Sequence, residues 1–235
     1  MLNLLALTLE ILIIFLTSQY IFKSFFLLLL LMFRNKSISV SVLSFFFLPG
    51  VIVHELSHLL TAEVLRVKTH GIEFFPELHG GSLKMGSVLV EDSDLFRQFL
   101  IGIAPFISGL SILFALFFFI SPYISLEHIF SSVSSFLLSV VFLYAVFIIT
   151  NTMFSSKKDM DGSVELIFIT IVIFVMCFIL KLHVENYIII FFEREEIKKM
   201  LEKIIFFLCI PLSLNILSAI LASVMLKRKG IQISE

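Results

Sequence analysis

Long apolar runs separated by short polar stretches dominate the sequence. A helix that crosses the hydrocarbon core of a membrane needs about 20 consecutive, mostly apolar residues. By that measure the pattern predicts about six transmembrane helices, covering residues 2–33, 38–67, 96–120, 128–150, 164–182 and 204–226. The segment 185–202 is amphipathic, acidic in part and too polar to cross the membrane.

Two local features interrupt this helical pattern. Pro49 and Gly50 fall inside the second apolar run, where a missing N–H and a flexible residue predict a kink or a restart of the helix. Residues 71–91 alternate between polar and apolar in places and contain several glycines, which predicts a short β-like loop after the second helix. The sequence contains no internal repeat or linker, so we expect residues 1–235 to form a single integral membrane domain.

The composition agrees with a membrane protein and excludes several other classes. Of the 235 residues, 59% are hydrophobic and 15% are charged, whereas soluble domains average about 45–50% apolar and about 25% charged residues. A net charge of −1 gives no electrostatic basis for binding nucleic acid. Cys177 and Cys209 lie in apolar runs and form no disulfide or metal-ligand pattern. An all-α polytopic membrane protein remains.

The lysines and arginines of the loops give an expected orientation, because cytoplasmic loops carry an excess of them. With six spans, the bias is modest and favours the face that carries Arg66, Lys68 and Arg97 as cytoplasmic. Both termini then lie in the cytoplasm. The expected location is the plasma membrane of a prokaryote.

A metal-binding pattern, His54-Glu55-Leu56-Ser57-His58, lies within the second predicted helix. Histidines at i and i+4 share one helical face and can bind one metal ion, whereas Glu55 points about 100° away, where it can act on a water molecule. An ionisable residue near the bilayer centre costs about 2.5–3.5 kcal/mol, so this cluster needs partners or a water-filled pocket. The alternative is a pair of buried histidines that neighbouring hydroxyls or carbonyls satisfy.

A catalytic zinc ion usually has three protein ligands and one open position, so a third ligand must come from elsewhere in the fold. Glu63 follows His58 on the same helix and cannot bend back to the metal. A better candidate segment follows the fourth predicted helix, where residues 151–162 read Asn-Thr-Met-Phe-Ser-Ser-Lys-Lys-Asp-Met-Asp-Gly.

Together with the histidine motif, this segment resembles the site-2 protease family of intramembrane zinc metalloproteases. That family pairs an H-E-x-x-H helix with a later N-x-x-P-x-x-x-L-D-G segment whose aspartate is the third zinc ligand. The spacing from Asn151 to Asp159 equals the family's spacing, although Phe154 replaces the proline and the Asp-Gly pair begins two residues later, at Asp161. The resemblance therefore implies Asp159 as the third ligand, with Asp161 as the alternative. Two solvated loop acids are the other possibility.

The resemblance covers roughly residues 45–165, and a three-helix zinc-metalloprotease core over about 38–165 is its structural implication. Spans 1–33 and 164–228 are then accessory. Gly102 and Pro105 look like the family's small-residue element that lets helices approach closely, and with Asn151 they are candidate supporting residues.

The resemblance implies a zinc-dependent endopeptidase that cleaves in or near a transmembrane segment of a membrane-anchored protein, with Glu55 as the general base. A membrane-protein substrate and the lipid bilayer are the expected partners, and the oligomeric state is open. An alternative is a catalytically inactive membrane protein with a structural or metal-handling zinc site, although such a site has no use for Glu55. A third alternative is the other membrane-bound H-E-x-x-H lineage, which uses a glutamate as the third ligand; Glu73 is a candidate.

Overall fold

The computed structural model describes residues 2–74, 77–79, 82–84, 86–120, 132–154, 169–173, 175–176, 180 and 184–229. Six helices and four short strands are defined within these ranges. They are α1 (Leu2–Phe33), α2 (Lys36–Val64), β1 (Thr69–Glu73), β2 (Glu77–His79), β3 (Ser82–Lys84), β4 (Ser87–Val90), α3 (Leu95–Ile120), α4 (Val133–Thr152), α5 (Val184–Glu193) and α6 (Glu195–Arg228).

Five of these helices are long and apolar enough to cross a membrane: α1, α2, α3, α4 and α6. They match five of the spans that the hydrophobic pattern predicts and support a helical integral membrane protein. The predicted span 164–182 lies largely outside the described residues, of which 169–173 and 175–176 are helical. That span stays a prediction.

Helix α2 is continuous from Lys36 to Val64 with Pro49 inside it, so the helix does not restart there; the kink stays a prediction. Proline removes one backbone donor, and neighbouring helices in a bundle can compensate for that loss. The Asn35 side chain caps the beginning of the helix by accepting hydrogen bonds from the N–H groups of Ser37 and Ile38. The chain leaves the helix through Arg66, whose φ of 58° lies in the left-handed region.

The last predicted span, 204–226, lies within helix α6, which runs without a break from Glu195 to Arg228. The polar segment 185–202 forms most of α5 and the first turns of α6. The acidic residues of the first turn of α6, Glu195 and Glu196, interact favourably with the positive end of the helix dipole. Glu195 also forms an ion pair with Lys198 at 3.7 Å. These local effects extend the helix beyond the region that its hydrophobicity defines.

The prediction of a short β-like loop after the second helix is confirmed. Strand β1 pairs with β4 in an antiparallel ribbon, with Glu73 opposite Ser87, and β2 pairs with β3. The β1–β4 ribbon follows directly on α2 and precedes α3, so it lies next to the end of the helix that carries the histidines.

Contacts between the helices fix their relative directions. Asn3 of α1 donates to Glu202 of α6, and Asn215 of α6 donates to Thr17 of α1, so these two helices run parallel. Helix α4 ends inside the bundle, because Ser18, near the middle of α1, donates a hydrogen bond to the carbonyl of Asn151. The C-terminal end of α4 therefore lies at about the mid-depth of α1.

Candidate metal centre

The two histidines of α2 lie together, as their spacing predicts. The Nε2 atoms of His54 and His58 are 3.3 Å apart, and the planes of the two rings are inclined by 80°. His58 is only 5% exposed. This pair forms the centre of the candidate site.

A backbone carbonyl orients each ring. His54 Nδ1 donates to the carbonyl oxygen of Thr152 at 2.6 Å, and His58 Nδ1 donates to that of Ile101 at 2.8 Å. A carbonyl can only accept, so the bonding pattern assigns a proton to each Nδ1. In a neutral ring Nε2 then carries a lone pair, and the two lone-pair atoms lie side by side.

The carbonyl that holds His54 belongs to the end of α4. The last carbonyls of a helix have no intrahelical donor, and inside a bilayer water cannot replace one. Thr152 is the last residue of α4 and accepts from His54, while the preceding carbonyl, of Asn151, accepts from Ser18 Oγ at 3.1 Å. Ending α4 within the bundle thus provides an acceptor for His54.

Asn151, predicted as a supporting residue, has its side chain in a buried amide pair with Asn215 of α6. Asn151 Nδ2 donates to Asn215 Oδ1 at 2.9 Å, and Asn215 Nδ2 donates back at 3.3 Å and also to Thr17 Oγ1 at 3.4 Å. The first and last helices therefore hold the end of α4, although the sequence makes them accessory. An isolated amide within an apolar span, as at Asn215, was the available signal for this role.

Close contacts between helices at the site depend on two glycines. A Cβ atom at Gly50 would overlap the side chains of Thr152 and Ile148, and a Cβ atom at Gly109 would lie 2.5 Å from Met153 Cβ. Small residues let membrane helices approach in this way. The structure thus shows at these two glycines the close approach that the sequence suggests for Gly102 and Pro105, both of which are buried in α3.

A narrow crevice lies beside His54, between α2, α3 and α4, and it is too small to hold a water molecule. Its lining includes Gly50, Pro105, Gly109 and Thr152.

Glu55 lies under the β1–β4 ribbon. The side chain is 6% exposed. A Cβ atom at Gly86, just before β4, would come within 2.8 Å of Glu55 Oε1 and 2.9 Å of Val51 Cγ1. Glycine at position 86 thus lets the chain lie directly over the carboxylate, which the ribbon shields from solvent.

The two candidates for the third ligand, Asp159 and Asp161, lie outside the described residues. Within the part of the chain that the structure describes, no group of three His, Cys, Asp or Glu side chains could hold a metal ion. Asp159 follows Thr152 by seven residues, a stretch that spans at most about 25 Å when extended. Because Thr152 contacts His54 directly, that length permits a return to the histidines.

The histidine pair fits two ligands of one zinc ion. At Zn–N distances of about 2.0–2.1 Å, two ligands of a tetrahedral zinc ion are about 3.3–3.4 Å apart, and the observed separation is 3.3 Å. Metal-ligating histidines generally donate their other ring N–H to a carbonyl or carboxylate, as both rings do here. The geometry and the chemical type of these donors suit zinc.

No family model, curated protein or solved structure matches this chain. The resemblance to site-2 proteases rests on the residues described above.

Proposed function

We propose that the protein is an intramembrane zinc metalloendopeptidase that hydrolyses a peptide bond in or near a transmembrane segment of a membrane-anchored protein. The observation that supports this proposal best is the pair of Nε2 atoms 3.3 Å apart, each on a ring whose Nδ1 donates to a backbone carbonyl. His54, His58 and Asp159, or Asp161 in its place, would hold the zinc ion.

Two merely buried histidines would need only the Nδ1 bonds to the carbonyls of Thr152 and Ile101, and that alternative does not require the Nε2 atoms to lie 3.3 Å apart. With both Nδ1 atoms protonated, the Nε2 atoms can hydrogen-bond to each other only if one ring is a cation. A charged group near the centre of a bilayer costs about 2.5–3.5 kcal/mol on insertion scales. A zinc ion bound by both rings accounts for the 3.3 Å distance directly.

The position of Glu55 suits a general base. When bound, zinc supplies a Lewis acid that polarises the peptide carbonyl and lowers the pKa of water. Glu55 would accept a proton from the attacking water and deliver it to the departing amine. Its place next to the histidines, under the ribbon, favours an enzyme over a structural or metal-handling site, which requires no proton acceptor.

The substrate must change conformation before it can react. A transmembrane helix hides its carbonyls in its own hydrogen bonds, so local unwinding has to precede attack. We therefore expect residues that weaken a helix near the cleaved bond. The location in a prokaryotic plasma membrane stays a prediction, as does the cytoplasmic position of both termini, against which the parallel packing of α1 and α6 argues.

Zinc content and turnover, measured together on the purified full-length protein, test the proposed function. We expect about one zinc ion per chain, cleavage of a helical transmembrane test substrate, loss of cleavage with a chelator, and recovery when zinc is returned. Tightly bound zinc without any turnover would instead support the inactive metal protein. A chain that binds no zinc would contradict both readings.

A further inference from the structure

We infer that Pro105 is a positioning residue for His58, because it frees the backbone carbonyl that holds the histidine ring. The inference deepens the proposed function, on which the metal-binding role of His58 rests. It gives Pro105 a different role from the close helix approach suggested by the sequence.

The argument begins with the hydrogen-bond register of α3, which is helical from Leu95 to Ile120 with Pro105 inside it. In an α-helix, the N–H of each residue donates to the carbonyl four residues earlier. For position 105 that acceptor is the carbonyl of Ile101. Proline has no N–H, so Ile101 loses its regular intrahelical donor.

The freed carbonyl is the same one that His58 uses. His58 Nδ1 donates to Ile101 O at 2.8 Å, in a region where Ile101 is 6% exposed. A buried carbonyl without a donor is unfavourable in a bilayer, where no water can replace the missing bond. The bond therefore satisfies the carbonyl, fixes the proton on Nδ1 and directs Nε2 toward His54.

Two serines hold α3 and α2 in the register that this bond requires. The hydroxyls of Ser108 and Ser57 lie 2.5 Å apart, and Ser108 Oγ is also 3.1 Å from the carbonyl oxygen of Pro105. Ser57 directly precedes His58 on α2. The contact between the two hydroxyls links α2 and α3 next to Pro105.

Each of the two histidines is thus oriented by a backbone carbonyl of a neighbouring helix. His54 donates to the carbonyl of Thr152, the last residue of α4, and His58 donates to that of Ile101, whose regular helical donor is missing because of Pro105. A carbonyl that already accepts within its helix is a weaker competitor for a ring N–H. A helix end and a proline therefore select the acceptors that orient the rings.

The experiment separates the missing N–H from the shape of the proline ring. In the full-length protein, Pro105→Ala restores an N–H, whereas the α-hydroxy analogue of alanine, introduced at position 105, changes the side chain equally but has no N–H. Pro211→Ala is the matched control, because Pro211 is also a buried proline within a membrane-length helix, α6. Zinc affinity is measured by competition with a chelator, and ¹⁵N NMR of labelled histidines reports the tautomer of His58 in the metal-free protein.

We expect Pro105→Ala to weaken zinc binding about tenfold, the lower end of the range for residues that orient metal ligands, because the carbonyl retains a second lone pair. The same variant should shift His58 away from the Nδ1–H tautomer. The α-hydroxy variant and Pro211→Ala should keep the wild-type affinity and tautomer.

The inference is overturned if both substitutions at position 105 weaken zinc binding equally, or if neither weakens it. If Pro105→Ala does not fold, the α-hydroxy variant decides alone, and a loss of zinc affinity in that variant overturns the inference. If the wild-type protein binds no zinc, the proposed function fails. The tautomer of His58 still tests the role of Pro105 in that case.

Discussion

Replacing Glu55 with glutamine is expected to abolish peptide cleavage and leave zinc binding intact. Glutamine has nearly the same size as glutamate, so it fits beneath Gly86, where the chain passes close to the Glu55 side chain. An amide cannot accept the proton of the attacking water, and loss of a general base slows such reactions by about 10²–10⁴-fold. Cleavage rate and zinc content should both be measured on the purified variant.

Glu63→Gln is the matched control for this change, because Glu63 is an exposed glutamate on the same helix. We expect it to leave both cleavage and zinc content unchanged. If Glu55→Gln still cleaves at the wild-type rate, Glu55 is not the base. If it loses zinc, Glu55 acts as a ligand, and the assignment of roles within the motif has to be reversed.

The second large effect is expected at the third ligand. Asp159→Ala should lose zinc almost completely, whereas Asp161→Ala should retain it, since the spacing from Asn151 favours Asp159. Removing one of three protein ligands should exceed the 10–100-fold effect of changing a residue that only orients a ligand. Zinc content after gel filtration of each variant measures the difference, and each is the other's control.

The opposite pattern would assign the ligand to Asp161. If both variants retain zinc, neither aspartate is the ligand, and Glu73→Ala becomes the decisive variant. Glu73 lies at the end of β1, on the ribbon beside α2. Loss of zinc in that variant would place the protein in the lineage that uses a glutamate.

Much of the helical architecture follows from hydrophobicity, because the thickness of a bilayer sets the length of a spanning helix. Helices α1 and α3 have nearly the predicted limits for this reason. The start of α6 could not be predicted in the same way, since Glu195 and Lys198 are polar and are helical through local pairing and the helix dipole. Hydrophobicity identifies the part of a helix that lies within the membrane, and the helix can extend beyond that part.

The site could also be predicted only in part, because the sequence identifies side chains but not the backbone groups that they contact. The positions of His54 and His58 followed from helical spacing alone. Their acceptors, the carbonyls of Thr152 and Ile101, could not be found by searching for side chains, because every residue has a carbonyl. The only trace of either in the sequence is a proline four residues after Ile101.

Gly50 has a role in helix packing that its position in the sequence does not indicate. In the sequence it predicts a kink or restart of α2; in the structure α2 is continuous there, and the glycine provides space for Thr152 of α4. Which partner helix needs the space depends on tertiary packing, which a single sequence does not reveal. The contact is what brings the end of α4 to His54.

The parallel packing of α1 and α6 has a consequence for how the protein is handled experimentally. Two helices that cross a bilayer in the same direction enter from one compartment and leave into the other, so Leu2 and Lys229 would be exposed to different compartments. The distribution of lysines and arginines instead predicts one shared compartment. Epitope tags at the two positions, probed with protease in sealed vesicles, would be protected together only in the latter arrangement.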